Sequence, residues 1–310
     1  MGNRLEGRAG SLPVVAIVAR GFAMGAADVV PGVSGGTMAF VLGIYEDLIA
    51  ATRRLTDAEA WRRLRAADLA GALAYVDARL LLSVLGGIGL AVFSLAPLLS
   101  WALENHPSLV WAFFFGLVVA SIWVVSRRLP AWTPLTALLC AAGAVGAWFL
   151  VSMVPVTTPD ASWFLVLSGS LAICAMMLPG ISGSFVLVLL GKYEVALEAV
   201  NDRDLVTLAT LAIGAGLGLL LFARLLNWLL RHFHDPTIAA LIGLMAGSLR
   251  KIWPWKETLT TRLDRHGELV PLIERNVAPT WDAAVLTALA FALVGLVGVL
   301  LLARIEARRS

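Results

Sequence analysis

The chain has 310 residues, of which 59% are hydrophobic and 15% are charged, with a mean hydropathy of +0.85 and a formal net charge of +3. Because soluble domains carry about 25% charged residues, this composition excludes an ordinary soluble domain and is typical of a polytopic membrane protein. The sequence pI of 9.2 does not indicate a nucleic-acid partner, since the basic residues flank apolar stretches, as membrane topology requires.

Ten apolar segments follow one another along the chain, five in each half. In the first half they lie at roughly 13–30, 33–50, 80–103, 108–127 and 133–153. In the second half they lie at roughly 162–178, 181–199, 205–230, 237–252 and 282–303. Several approach the ~20 residues that a spanning helix needs. The first two segments of each half are shorter, and they either span separately or form one re-entrant hairpin.

Two polar stretches separate some of these segments. Residues 53–79 combine arginines, acids and apolar residues at helical spacing. This pattern predicts an amphipathic helix on the inner membrane surface or, equally, a solvated linker helix. Residues 254–280 are long and charged, and we expect them to form a loop on the outer side.

A sixteen-residue motif occurs twice. "PGVSGGTMAFVLGIYE" at 31–46 returns as "PGISGSFVLVLLGKYE" at 179–194, with eight of the sixteen positions identical. Chance similarity between apolar stretches would match Leu and Val, whereas here Pro, Gly, Ser, Tyr and Glu match in register. A weaker echo pairs "FGLVVAS" at 115–121 with "IGLMAGS" at 242–248. The chain is therefore predicted to be an internal duplication, with repeats at 1–155 and 156–310.

The two repeats are predicted to have opposite orientations in the membrane. Each repeat crosses the membrane an odd number of times, whether its first two segments span or re-enter, so the second repeat is inverted. The distribution of Lys and Arg among the loops favours a cytoplasmic N-terminus. The predicted fold class is an all-α polytopic membrane protein that forms one transmembrane domain, with broken or re-entrant helices at the Pro-Gly-x-Ser-Gly motifs.

The broken helices form a candidate site for an anion. Pro31 and Pro179 interrupt their segments, and a new helix is expected to start near Ser34 and near Ser182. A helix start presents free N–H groups and a positive dipole end, which bind phosphate well. Two inverted copies would bring two such ends together near the midplane. The candidate phosphate-binding residues are Gly32, Ser34, Gly35, Gly36, Thr37, Gly180, Ser182, Gly183 and Ser184.

Asp28 is the acid nearest to the first break. It precedes Pro31 by three residues, at a depth where a charged group costs about 2.5–3.5 kcal/mol. Its counterpart in the second repeat is Met176, so the symmetry does not require an acid. Asp28 is predicted to carry a proton, to contact the substrate, or to cap neighbouring backbone N–H groups.

Four other charged residues are candidates for a role in charge or coupling. Glu46 and Glu194 follow the motif serines by twelve residues, about 18 Å along a continuous helix, which would return them and the adjacent tyrosines to the interface. Lys192 and Arg224 are expected to extend toward an interface or to neutralise part of a bound phosphate.

Two other function classes fit parts of the sequence. "GVSGG" at 32–36 matches the G-x-S-x-G motif of serine hydrolases, but the second copy, "GISGS", lacks the last glycine. A hydrolase also needs a base near Ser34, and the four histidines lie in predicted loops or at helix ends. An ion channel is the other alternative, although no TVGYG-like filter is present. We therefore expect a transporter without a metal or cofactor.

The two motifs also resemble those of a known family. "GxxMGxADVVPGVSGGTMAFVLGIYE" at 21–46, with "LPGISGSFVLVLLGKYE" at 178–194, closely resembles a bacterial and archaeal membrane family once described as a domain of unknown function. This family is now associated with transport of polyprenyl phosphate (PopT-type), and the resemblance covers essentially the whole chain. The motif positions it covers are Asp28, Pro31, Gly32, Ser34, Gly35, Gly36, Tyr45, Glu46, Pro179, Gly180, Ser182, Gly183, Ser184, Tyr193 and Glu194.

The resemblance implies a lipid translocase. Such a protein would return undecaprenyl phosphate from the outer to the inner leaflet of the bacterial cytoplasmic membrane, where the carrier is reused for peptidoglycan and other envelope polymers. The implied partner is this lipid, and a small anion is the alternative substrate. Proton coupling through Asp28, Glu46 or Glu194 is a hypothesis, and the sequence leaves the coupling ion and the oligomeric state open.

Overall fold

The computed structural model describes residues 12–30, 33–156, 158–159, 161–263, 269–280 and 283–309, which are mostly helical. Pro31 and Gly32, two of the motif residues, lie outside the described residues. The helices of the first half are α1 (Val14–Asp28), α2 (Gly35–Val41), α3 (Tyr45–Arg54), α4 (Ala58–Arg65), α5 (Leu69–Tyr75), α6 (Ala78–Asn105), α7 (Pro107–Ser126) and α8 (Pro134–Ser152). Those of the second half are α9 (Ser162–Met177), α10 (Gly183–Leu189), α11 (Tyr193–Asn201), α12 (Leu205–His232), α13 (His234–Ser248) and α14 (Ala283–Arg309).

Within the described residues, five helices are long and apolar enough to cross a membrane, namely α6, α7, α8, α12 and α14. Large apolar side chains on their outer surfaces are exposed, and Phe93 on α6 is 87% accessible. A soluble protein would bury such side chains, whereas lipid tails solvate them. The prediction of an all-α, multi-pass membrane protein is confirmed.

The shorter helices α1 and α2 form a hairpin, and so do α9 and α10. Arg20 of α1 donates from Nε to the carbonyl oxygen of Leu42, just after α2, at 3.3 Å. The N–H of Val156, ahead of α9, donates to the carbonyl oxygen of Leu189, the last residue of α10, at 2.9 Å. In both hairpins the second helix therefore runs back alongside the segment that precedes the turn.

Four pairs of helices pack closely within the described residues. Glycines allow this close approach between α1 and α6 and between α9 and α12. A Cβ atom on Gly21 of α1 would collide with the carbonyl of Val84 on α6, and one on Gly169 of α9 would collide with the carbonyl of Leu211 on α12. Gly21 and Gly169 are 148 residues apart, which is the offset of the repeated motif. In lipid, where apolar burial gives little driving force, such small residues permit the close packing that holds helices together.

The remaining two helix pairs cross the boundary between the halves. Gly116 of α7 packs against the carbonyl of Ala292 on α14, and Gly243 of α13 packs against the carbonyl of Cys140 on α8. Both contacts have the same form, and Gly116 and Gly243 occupy corresponding positions of the weaker sequence echo. These recurring contacts support the predicted duplication, which stays a prediction, as does the inverted orientation.

Two polar stretches differ from the sequence-based expectation. Residues 53–79 do not form one amphipathic helix, because α4 and α5 are separate short helices. Ala67 adopts a left-handed conformation with φ 57° and ends the first helix, and the Asp68 side chain accepts from the N–H of Gly71 to start the second. Their position on the inner surface stays a prediction.

The expected loop at 254–280 contains an antiparallel β-hairpin, with β1 at Lys256–Leu263 and β2 at Leu269–Asn276. Three threonines in β1 supply the β-branched side chains that favour a strand. The base of the hairpin is fixed to the end of the helical region. Trp253 Nε1 donates to the carbonyl oxygen of Val277 at 3.0 Å, and Asn276 Nδ2 donates to the carbonyl oxygen of Arg250 at 2.8 Å.

Candidate functional site

The turns of the two helix hairpins contact each other directly. We call Val30 and residues 33–37 the first tip, and residues 178–184 the second tip. The Ser34 hydroxyl donates to the carbonyl oxygen of Leu178 at 3.2 Å, and the N–H of Gly180 donates to Thr37 Oγ1 at 3.0 Å. The structure thus brings together residues that are more than 140 positions apart in the sequence and that the repeated motif predicts as one site.

The start of α2 is already capped by protein groups. The N–H of Gly35 donates to Asp28 Oδ1 at 2.6 Å, and the N–H of Gly36 donates to Ser34 Oγ at 3.1 Å. Ser34 and Thr37 are almost completely buried. Among the roles predicted for Asp28, capping of backbone N–H groups is therefore the one seen in this state, and the carboxylate occupies the position that an anion would take.

The start of α10 is different, because Met176 stands where the first repeat has Asp28. The Ser182 side chain makes no capping bond and lies 2.8 Å from Ser184 Oγ instead. Within the described part of the chain, the N–H groups of Gly183 and Ser184 donate to no protein acceptor. Ser184 is also exposed. The second tip therefore offers hydroxyl and N–H donors that the first tip has already engaged.

Gly180 allows the second tip to pack against the end of α13. Its φ of +90° is a conformation that glycine adopts easily and other residues rarely adopt. A Cβ atom at this position would lie 2.8 Å from Ser248 Oγ and 2.9 Å from Met245 Cα. Pro179 precedes it in the same turn between α9 and α10. The glycine thus meets a conformational and a steric requirement at once.

The expected continuous helix from Ser34 to Glu46 is wrong. α2 ends at Val41, Gly43 turns the chain with φ +71°, and α3 begins at Tyr45. The expected depth of Glu46, which assumed one helix, therefore does not hold. The same turn recurs in the second repeat at Gly191, with φ +63°.

The sequence suggested that Tyr45 is an interfacial anchor, but the structure places this side chain inside the protein. Its side chain is buried, packs on Phe40 with 4.7 Å between ring centroids, and donates from its hydroxyl to the carbonyl oxygen of Met177 at 2.9 Å. It therefore adds a third hydrogen bond between the first hairpin region and the end of α9. Tyr193 and Glu194, the equivalent pair, are exposed at the start of α11.

The two candidate cations have different environments. Lys192 is 1% exposed and donates from Nζ to the carbonyl oxygen of Thr158 at 3.2 Å, and its extension toward an interface stays a prediction. Arg224 is exposed and donates from Nε to Thr56 Oγ1 at 2.8 Å, so it connects α12 to the turn after α3. The acceptors that these two side chains contact, the carbonyl oxygens of Thr158 and Thr56, lie outside the two tips.

Sequence reasoning missed the partner of Glu46. His234, the first residue of α13, lies with Nε2 3.2 Å from Glu46 Oε1 and with Nδ1 2.9 Å from Asp235 Oδ1. The hydrogen bond to Glu46 is the main cause that raises the pKa of His234 to about 9, partial burial opposes it, and Asp235 adds to it. A His-Asp-Pro sequence at the end of an apolar segment was the available signal, but it did not identify the partner.

The contact between His234 and Glu46 predicts that the stability of the folded protein depends on pH. Because the folded-state pKa of His234 lies above the usual 6.5, its stabilisation is complete below pH 6.5 and is lost as the pH rises through about 9. The side chain is 44% exposed, so solvent screening limits the effect to about 1 kcal/mol. We expect the difference in unfolding temperature between wild type and His234→Gln in detergent to vanish by pH 10. An equal difference at pH 6 and pH 10 would contradict this prediction.

The sequence is similar to that of known proteins over most of its length. Residues 24–270 match the family model described as VCA0040-like, undecaprenyl phosphate translocase-like. A polyprenyl-phosphate transporter of Vibrio cholerae serotype O1 is 44% identical over 262 residues, which cover 84% of this chain and 84% of that protein. A polyprenyl-phosphate transporter of Staphylococcus aureus is 30% identical over 256 residues, 76% of this chain and 85% of that protein. No solved structure matches the chain significantly. The chain therefore belongs to the undecaprenyl phosphate translocase-like family and is a membrane transporter, not an enzyme.

Proposed function

We propose that the protein moves polyprenyl phosphate, and undecaprenyl phosphate in particular, from the outer to the inner leaflet of the cytoplasmic membrane. The family match and the names of two relatives support this substrate class. The direction would serve recycling of the carrier lipid for envelope polymers. In this proposal the N-terminus is cytoplasmic, and the two hairpins re-enter the membrane from opposite sides.

The difference between the two tips carries the proposal. The first tip is capped by Asp28, whereas the N–H groups of Gly183 and Ser184 in the second tip have no acceptor among the residues that the structure describes. A phosphate dianion accepts several hydrogen bonds, and bonds to a charged group are stronger than those between neutral groups. We therefore assign the phosphate to Ser182, Gly183 and Ser184 of the second tip in this state.

Hydrogen-bond donors at the tips would solve the main physical problem of lipid flipping. A charged phosphate costs many kcal/mol to place in hydrocarbon, so donors on the protein must replace its water. The isoprenoid tail needs no such path and can stay in the lipid that contacts the exposed apolar helix faces. Transport then requires the protein to guide only the headgroup.

Separation of the tips would give the phosphate access to the first repeat. The hydroxyls of Ser34 and Thr37 now bond to the second tip, and Tyr45 bonds to the end of α9. When these three bonds open, Ser34 and Thr37 become available to the phosphate. We place Asp28 at this step, because its charge would repel the headgroup and favour its release, while Glu46 and Glu194 stay candidates for proton coupling.

A reconstituted flipping assay tests the proposal. We expect Ser182→Ala/Ser184→Ala to lower the rate of undecaprenyl phosphate flipping in proteoliposomes at least about tenfold, because each lost hydrogen bond to a charged group costs about 1.5–3 kcal/mol. Ser94→Ala is the matched control, since this α6 hydroxyl is bonded to the carbonyl oxygen of Leu90, outside the tips. Equal flipping by both variants would exclude the second tip as the phosphate site.

The same vesicles distinguish the substrate classes. Uptake of inorganic phosphate without lipid flipping would assign the protein to the small-anion transporters. Flipping of undecaprenyl phosphate with no uptake of inorganic phosphate is the expected result.

A further inference from the structure

A pair of lysines at the base of the β-hairpin shares one acid. We call Lys251, Lys256 and Glu274 the hairpin-base cluster. Glu274 Oε2 lies 3.4 Å from Lys256 Nζ and 4.0 Å from Lys251 Nζ. One carboxylate therefore faces two ammonium groups, and the cluster carries a net positive charge.

Lys256 is unusually enclosed for a cation. Its side chain is only 8% exposed, and Nζ lies 4.0 Å from the centre of the Trp111 ring on α7. Burial lowers the pKa of Lys256 to about 8, Glu274 compensates only in part, and Lys251 lowers the pKa further. A buried ammonium group with incomplete compensation is stabilised when another anion approaches.

Lys251 connects the cluster to the second tip. Its Nζ lies 5.3 Å from the centre of the Phe185 ring, and Phe185 directly follows Ser184 in α10. Lys251 also follows Ser248 by three residues, and Ser248 is the residue against which Gly180 packs. The side chain of Lys251 is 30% exposed, so a ligand can reach it. The cluster therefore borders the open donors of the second tip.

Fastening the hairpin does not account for these lysines. The bonds from Trp253 to Val277 and from Asn276 to Arg250 already hold the base of the hairpin. A single lysine would also suffice to neutralise Glu274. The second positive charge is in excess of what the hairpin needs.

We propose that Lys251 and Lys256 form a capture site for a phosphate monoester, which binds the lipid headgroup before it passes to Ser182 and Ser184. The identification of the ligand as a lipid rests on the proposed function. Glu274 occupies the lysines while the site is empty, and the arriving phosphate displaces it. Because Glu274 competes with the ligand, removing its charge strengthens binding, whereas removing a lysine weakens it.

Binding to the purified protein in detergent micelles tests the capture site. Undecaprenyl phosphate is titrated while tryptophan fluorescence is followed, since Trp111 contacts Lys256. Undecaprenol and inorganic phosphate serve as separate arms that lack the phosphate and the lipid tail, respectively. We expect Lys251→Gln to weaken binding about tenfold, which is the loss of one charge-assisted hydrogen bond. Lys251→Arg should bind nearly as wild type does.

Two further variants separate capture from a structural role. Glu274→Gln should bind the lipid phosphate several-fold more tightly than wild type. If Glu274 only fastened the hairpin, its substitution would instead weaken binding of the lipid phosphate. Arg275→Gln is the matched control, because Arg275 lies next to Glu274 but pairs with Glu257 at 2.7 Å. It should leave binding unchanged.

The outcomes separate the capture site from the transport function. Unchanged binding in both Lys251→Gln and Glu274→Gln would overturn the capture site, as would equal affinity for undecaprenol. Equal affinity for inorganic phosphate would assign the cluster to the free anion and overturn lipid capture. Wild-type protein that binds the lipid as predicted but does not flip it would overturn the proposed function and leave the capture site standing.

Discussion

Gly180→Ala is expected to destabilise the protein by about 2–4 kcal/mol and to abolish transport. The new Cβ atom would lie 2.9 Å from Met245 Cα and 3.1 Å from the carbonyl oxygen of Leu244, which are backbone atoms of α13 and cannot rotate away. The φ of +90° adds conformational strain for any residue with a side chain. Relief of both would require the second tip to move, which would break the bond from the N–H of Gly180 to Thr37.

The measurement is the unfolding temperature in detergent together with the flipping rate in vesicles. Gly86→Ala and Gly216→Ala are matched controls, because an added Cβ atom at either position meets no other atom within 4 Å. Both should remain close to wild type. If Gly180→Ala also behaves like wild type, the contact between the tips is not needed for folding or for transport.

Asp28→Asn is expected to bind undecaprenyl phosphate more tightly and to transport it more slowly than wild type. The amide oxygen of asparagine can still accept from the N–H of Gly35, so the cap on α2 is preserved. The negative charge, however, is lost. Two like charges repel by about 4 kcal/mol at about 4 Å and an effective dielectric constant of about 20, and by less at longer distances, so we expect the affinity to rise about tenfold or more. Without this repulsion, release of the headgroup becomes the slow step.

Asp28→Leu tests the structural role of the same residue. It leaves the N–H of Gly35 without an acceptor, and we expect it to lower stability by about 1–3 kcal/mol and to lose transport. The matched control for Asp28→Asn is Asp68→Asn. Asp68 also caps a glycine N–H, that of Gly71, at 2.8 Å, but it lies outside the tips. Binding and transport by Asp28→Asn that both equal those of Asp68→Asn would show that the charge of Asp28 has no role.

The sequence predicted much of this arrangement because its strongest signals are local. Repetition of the Pro-Gly-x-Ser-Gly motif indicated that two breaks form one site, and Ser34 is an N-cap as its position suggested. A cap was also among the roles predicted for Asp28. Ser34 and Asp28 act on backbone within seven positions of themselves, so spacing along the chain was sufficient for these two roles. The two breaks lie more than 140 positions apart, and only the repeated motif indicated that they meet.

The sequence did not predict contacts that depend on distant residues. The turns at Gly43 and Gly191 had a visible signal, a glycine in the same place of both motifs, but the apolar residues around them suggested a continuous helix. Burial of Tyr45 and Lys192 depends on α9 and on the chain before it, which no local pattern shows. A glycine on a helix indicates close packing, but it does not identify the partner helix.

The pairing of helices across the two halves has a consequence for biosynthesis. α8 ends at Ser152, and its partner α13 begins at His234, roughly 80 residues later in synthesis. At about 5–20 residues per second, α8 waits roughly 4–16 s in the bilayer before its partner leaves the ribosome. α7 waits longer, since α14 begins only at Ala283. During this interval Gly116 of α7 and Gly143 of α8, which packs against the carbonyl of Ala240 on α13, face lipid or the insertion machinery. A ribosome that stalls near residue 200 would therefore leave α7 and α8 without their partners.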